Sequence, residues 1–157
     1  MSVLKVISGA QTGVDRAALD AAIELGISHG GWVPKVRLAE IGPVPAKYRV
    51  QELPSSNYQA RTKKNIETAT ATLIFVPEQV SKGTSLTIKY AEASKKPFLL
   101  VKLNSLDDPA TKEKVIKWLG KLSMATVNIA GPRESSNESY SAYGLTLPFI
   151  KAVLEKS

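Results

Sequence analysis

Apolar and polar positions along this chain keep two alternating rhythms. Val3 to Ser8 is a short apolar run broken by Lys5, the pattern of a strand. From Val14 the rhythm turns helical. Val14, Ala17, Ala18, Ala21, Ala22 and Leu25 fall on one face at i, i+3, i+4, i+7, i+8 and i+11, and Gly26 is a natural C-cap. His29 to Val33 reads as a second, short strand. The stretch Pro34 to Pro54, rich in proline and polar residues, predicts irregular chain with a short extended piece at Tyr48 to Leu53. Ser56 with Gln59 three residues on forms a capping box that opens a helix to Thr68. Ala71 to Val76 is continuously apolar, as a strand buried on both faces of a parallel sheet requires. A helix over Thr84 to Ser94, a strand over Phe98 to Leu103, a helix from Asp108-Pro109 to Gly120 and a strand over Thr126 to Ala130 follow. Leu147, Phe149, Ile150, Val153 and Leu154 mark a C-terminal helix that Pro148 should kink or begin. Strands alternating with helices predict an α/β fold built on an open parallel sheet, one domain over residues 1–157.

Composition narrows the chemistry. The chain has 157 residues, 43% hydrophobic, enough for one core, and no apolar run near the roughly 20 residues that span a bilayer. Lys5 inside the first apolar run argues against a secretory signal, so a cytoplasmic location is expected. Without cysteine there are no disulfides, thiolate metal sites or cysteine nucleophiles. With His29 the only histidine, no histidine metal cluster or Ser-His-Asp triad can form in one chain. A net charge of +7 predicts attraction to anions. Aromatic content of 6% and the absence of a nucleic-acid-binding signature favour a small anionic ligand over a polymer.

Ser8-Gly9-Ala10-Gln11-Thr12-Gly13 links strand to helix, the geometry that aims free N–H groups and the positive end of a helix dipole at an anion. The device recurs at Ser81-Lys82-Gly83-Thr84-Ser85 and at Gly131-Pro132-Arg133-Glu134-Ser135, each after a predicted strand. Loops at the carboxyl edge of an open α/β sheet form its ligand crevice. The helix after Ser56 places Tyr58, Arg61, Thr62, Asn65, Ile66 and Ala69 on one stripe. An arginine on a core-facing stripe needs a partner, either a bound anion or a carboxylate such as Asp15 or Glu134.

These motifs, with Gly30-Gly31-Trp32, Pro34-Lys35, Leu86-Thr87 and Asn128-Ile129-Ala130, together resemble the molybdenum carrier family from the first strand to the last loop. Ala10, Val33 and Val36 depart from it, at positions where glycine, cysteine and glycine are common. The family looks like a branch of the Rossmann-like group that includes the cytokinin-activating phosphoribohydrolases. The resemblance therefore implies a three-layer αβα sandwich with helices on both sheet faces. It also implies a homotetramer that binds and protects molybdenum cofactor without turnover, with molybdenum enzymes or cofactor-synthesis proteins as partners. The phosphoribohydrolases carry an arginine, matched by Arg61, and a Gly-Thr pair, matched by Gly83-Thr84. Their loop glutamate falls at Thr87, which supplies no carboxylate for an oxocarbenium-like transition state. A carrier is favoured over that enzyme, and a nucleotide-binding sensor is the third reading. The cofactor's phosphate is assigned to Gly83, Thr84 and Ser85, and the adjoining cleft to Gly9, Gln11, Thr12 and Gly13. Arg61 and Arg133 would offset the ligand's charge, Asn65, Glu134 and Ser135 would join the site, and Lys82 would steer from the rim, as would Lys35.

Overall fold

The computed structural model describes residues 2–136 and 139–157. Its elements run β1 (Val3–Ile7), α1 (Val14–Leu25), β2 (Ser28–Gly30), β3 (Trp32–Val33), β4 (Gln51–Glu52), α2 (Tyr58–Thr68), β5 (Ala71–Val76), α3 (Lys82–Ser94), β6 (Phe98–Lys102), α4 (Pro109–Gly120), β7 (Ala125–Ala130) and α5 (Ala142–Lys156). The main sheet is parallel, in the order β2-β1-β7-β5-β6. Helices α1, α4 and α5 pack together, and α2 packs against α3. On β5, Leu73 and Phe75 join the core of the first group, while Ile74 joins Ile66 of α2 and Ala91 of α3. This alternation along one strand produces the three-layer αβα fold and explains why β5 is apolar but for the buried Thr72.

The strand order has a simple reading. Counted from β7 as the first strand, β2-β1-β7-β5-β6 becomes 3-2-1-4-5, the doubly wound Rossmann order. The last strand of the chain therefore fills the position that usually begins the fold. The order reverses beside β7, so the carboxyl ends of β1, β7 and β5 border the crevice.

Several element ends differ from the sequence reading for local reasons. The run from His29 to Val33 is not one strand. Gly31 has φ 132°, and a Cβ there would lie 2.0 Å from the Ser8 carbonyl oxygen. The chain breaks at this close approach, leaving β2 in the main sheet and β3 paired in parallel with β4. Helix α2 is capped by Asn57, whose side chain accepts the Gln59 N–H at 2.7 Å, so the Ser56 capping box does not form. Helix α3 starts at Lys82, earlier than Thr84, because the Ser81 hydroxyl accepts the Thr84 N–H at 3.2 Å. Pro148 does not begin α5. The helix starts at Ala142 behind a Ser141 cap and carries the proline inside.

Candidate functional site

A cleft of about 380 Å³ opens at the carboxyl ends of β1, β5 and β7. The loop after β1 contributes Gly9 and Gln11, and α1 contributes Asp15. Helix α2 supplies Tyr58, Arg61 and Asn65, the start of α3 supplies Ser81 to Thr84 and Thr87, and β7 with its loop supplies Asn128 and Gly131 to Arg133. Of the residues expected at the site, Gly9, Gln11, Arg61, Asn65, Lys82, Gly83, Thr84 and Arg133 meet here. The volume falls in the range of small-molecule sites.

Arg61 lies across the cleft floor with its side chain 11% exposed. Its Nη1 donates to the Gly9 carbonyl at 2.9 Å and stands 3.8 Å from Asp15 Oδ2, and the guanidinium lies 5.4 Å from the Tyr58 ring centroid. A Cβ on Gly9 would fall 2.4 Å from the Arg61 side chain, so the glycine makes room for the arginine. Of the two partners open to Arg61 in the sequence, the anion and the carboxylate, Asp15 is in place, and the guanidinium borders the cleft as well. Asp15 also accepts the Gln11 N–H at 3.2 Å. Burial raises its pKa to about 6, against the opposing pull of Arg61, that N–H and Arg16. Burial lowers the pKa of Arg61, and Asp15 opposes the shift, leaving the guanidinium charged.

At α3, the N–H groups of Lys82 and Gly83 belong to the first turn and have no intrahelical acceptor. Around the missing Cβ of Gly83 the nearest atom is Ser81 Oγ at 3.8 Å. Among the described residues, no side chain or other element crowds that position, and its room adds to the cleft. Thr87, at the position of the phosphoribohydrolase glutamate, donates its hydroxyl to the Gly83 carbonyl at 2.9 Å. Asp15 is the carboxylate that lines the cleft among the described residues.

Five expected site residues are not among those that line the cleft. Glu134 serves α5: its carboxylate accepts the Ser141 hydroxyl at 2.6 Å and the Tyr143 N–H at 2.9 Å. Ser135 and Thr12 both donate their hydroxyls to Glu40. Gly13, at φ 85°, lets the first loop touch the last, since a Cβ there would be 2.5 Å from the Pro132 carbonyl oxygen. Ser85 is exposed beyond the first turn of α3. Asn65, although it borders the cleft, uses its amide to hold β3: it accepts the Trp32 N–H at 2.8 Å and donates to the Trp32 carbonyl at 3.0 Å. Sequence reasoning missed Asn128 as a wall of the cleft and Glu40 as a hub.

Glu40 comes from the segment between β3 and β4. Burial would raise its pKa, but hydrogen bonds from Ser135 and Thr12, and then the Arg133 charge, hold it below the ordinary carboxylate value. His29 lies away from the cleft, where Nε2 accepts the Arg49 N–H at 3.1 Å. Burial, then Arg49 and Lys5, lower its pKa. Asp20, nearby, accepts from the hydroxyls of Tyr48 (2.8 Å) and Tyr143 (2.5 Å). Burial and that hydrogen bond raise both phenols, Tyr143 to about 12. Among the described residues no three His, Cys, Asp or Glu side chains gather as a metal site, and no helix is long and apolar enough to cross a membrane.

Two of the three departures, Ala10 and Val36, fall on backbone in the left-handed region. Ala10 has φ 56° and Val36 φ 58°, the left-handed region where glycine is at ease. Ala10 is nevertheless fully buried, with its N–H donated to the Ser8 hydroxyl at 3.2 Å, so this contact helps hold an alanine in a conformation that suits glycine.

Known proteins supply an independent reading of this geometry. The crystal structure of the "Putative molybdenum carrier protein" from Syntrophus aciditrophicus SB superposes with a TM-score of 0.89 at 41% identity, over 98% of this chain and 96% of that one. No curated protein matches significantly. The model of the circularly permutated YpsA SLOG family matches residues 6–154. A sheet whose last strand holds the first Rossmann position is what such a permutation produces. The chain belongs to the circularly permutated YpsA SLOG family.

Proposed function

We propose that this protein binds and protects molybdenum cofactor, without turnover, in the cleft at the carboxyl edge of its sheet. The observation that carries the reading is Gly83, a first-turn glycine that no side chain or other element among the described residues crowds, beside the free N–H groups that start α3. A terminal phosphate there would meet those N–H groups and the helix dipole. Arg61 and Arg133 would face the anionic ligand, and the Tyr58 ring would flank its pterin. The cofactor's dithiolene supplies the sulfur ligands of its metal, so a chain without cysteine suffices. Thr87, already bonded to the Gly83 carbonyl, supports carriage over glycosidic hydrolysis. The molybdenum carrier name of the 41% identical structure supports a molybdenum-containing cargo. A homotetramer is part of this reading and is checked by native mass spectrometry.

The test is purification from a molybdenum-replete host, followed by mass spectrometry of the small molecules released on denaturation. A phosphorylated pterin at near-stoichiometric yield is expected. Release of a nucleotide instead, or liberation of base from adenosine monophosphate well above an Arg61→Ala control, would overturn the carrier reading.

A further inference from the structure

Glu40 is ligated as an oxyanion would be. One carboxylate oxygen accepts the Thr12 hydroxyl and the Ser135 N–H at 3.3 Å. The other accepts the Ser135 hydroxyl and lies 3.8 Å from Arg133 Nη1. The donors come from the loops after β1 and β7, the two glycine loops that border the crevice. Backbone geometry reinforces the arrangement, because Gln11 Oε1 accepts N–H groups from both Glu40 (2.9 Å) and Thr12 (3.0 Å). Gln11 and Arg133 also line the cleft, so the Glu40 position and the cleft are contiguous.

The segment that delivers Glu40 has a packed base and an exposed tip. Arg37 donates to the carbonyls of Val44, Pro45 and Tyr48, while Ala39, Val44 and Tyr48 pack on Ala10, Leu19 and Val33. Between those anchors, residues 40–43 form a turn with Ile41 75% exposed. Displacing this tip would leave its base packed.

We propose that Glu40 is a tethered stand-in for the second anionic group of a ligand with two oxyanion groups. Such a ligand places one group in the cleft and displaces Glu40 with the other. The inference rests on the anion-cleft reading above and adds a rule of selection to it. A ligand with one anionic group leaves Glu40 latched on Thr12, Ser135 and Arg133. A ligand with two reaches the second subsite, at an apparent affinity reduced by the fraction of molecules in which the tip is open. Molybdenum cofactor, with a phosphate at one end and an oxo-molybdenum centre at the other, is of the second kind.

The test titrates inorganic phosphate and pyrophosphate into the wild type, Glu40→Gln and Glu78→Gln by calorimetry. Glu78, exposed on the loop after β5 and not among the cleft residues, reports the general effect of losing one negative charge. Glu40→Gln should tighten pyrophosphate about tenfold beyond the Glu78→Gln effect and leave phosphate within about threefold. In the wild type, pyrophosphate should accelerate amide hydrogen exchange at Glu40, Ile41 and Gly42 and phosphate should not, a measurement independent of how any variant folds. Equal shifts for both anions, or a less stable Glu40→Gln protein with unchanged pyrophosphate affinity, would overturn the latch alone, as would unchanged exchange at the tip despite binding. If neither anion binds any of the three proteins, the cleft reading fails and the latch falls with it.

Discussion

At the scale of single residues, Arg61 belongs to the fold and, under the proposed function, to the binding site as well. It is half of a buried ion pair with Asp15 and also borders the cleft, so its two roles must be separated by pairing mutations. Arg61→Ala leaves Asp15 buried without its guanidinium and should lose about 3–5 kcal/mol of stability together with anion affinity. Asp15→Asn in the same chain should recover much of the stability and none of the affinity, read from urea unfolding and calorimetry as a double-mutant cycle. Recovery of both would remove Arg61 from the binding site. Asp15 has its own signature. Its folded pKa, about 6, stands above the ordinary 3.8, so between these values the folded state binds more protons than the unfolded state. The stability of the wild type relative to Asp15→Asn should therefore be greatest below pH 4, fall as pH rises through 6, and level off above. Parallel unfolding free energies across that range would contradict the shift. That Arg61 needs a partner was legible in the sequence, because an arginine on a core-facing helical stripe demands one; which of anion, Asp15 or Glu134 would meet it was not. Glu40 was not, since it sits in irregular chain without periodicity and its partners lie far away in sequence.

Among the elements, the helical faces and the central strands agree with the sequence, while the starts of α2, α3 and α5 are shifted by local caps and the break at Gly31 by a contact between elements. The apolar face of α1, its Gly26 cap and the two-faced burial of β5 follow from spacing alone. The break at Gly31 depends on how near the Ser8 backbone comes, and the role of Asn65 depends on Trp32 arriving beside α2. Neither contact is written into a local pattern. Thr12, Glu134 and Ser135 were placed correctly on loops at the sheet edge, but the directions of their side chains are set by Glu40 and the start of α5. The segment before Glu40 offers a backbone test. Val36 is β-branched, has φ 58° and is 65% exposed, so replacing it loses little packing and relieves a left-handed strain of order 1–3 kcal/mol. Val36→Gly should raise the unfolding midpoint even after the entropy of an added glycine is counted. A lower midpoint would mean that Val36 is held by packing rather than strained.

For the molecule as a whole, permutation and charge act together. Placing β7 between β1 and β5 brings three glycine-bearing segments from distant parts of the chain to one edge, and the chain's +7 charge favours anions there. The first, middle and last parts of the sequence thus build a single cleft, which is why the sequence could assemble its parts list yet not its walls. The central claim is that molybdenum cofactor occupies this cleft. The most direct measurement is an anomalous difference map at the molybdenum absorption edge, from crystals of the protein loaded with the cofactor. The account predicts one peak within the cleft bounded by Gly9, Arg61, Gly83 and Arg133. A peak in the separate groove beside His29 and Arg49, or no ordered molybdenum in a protein that carries the metal in solution, would contradict it.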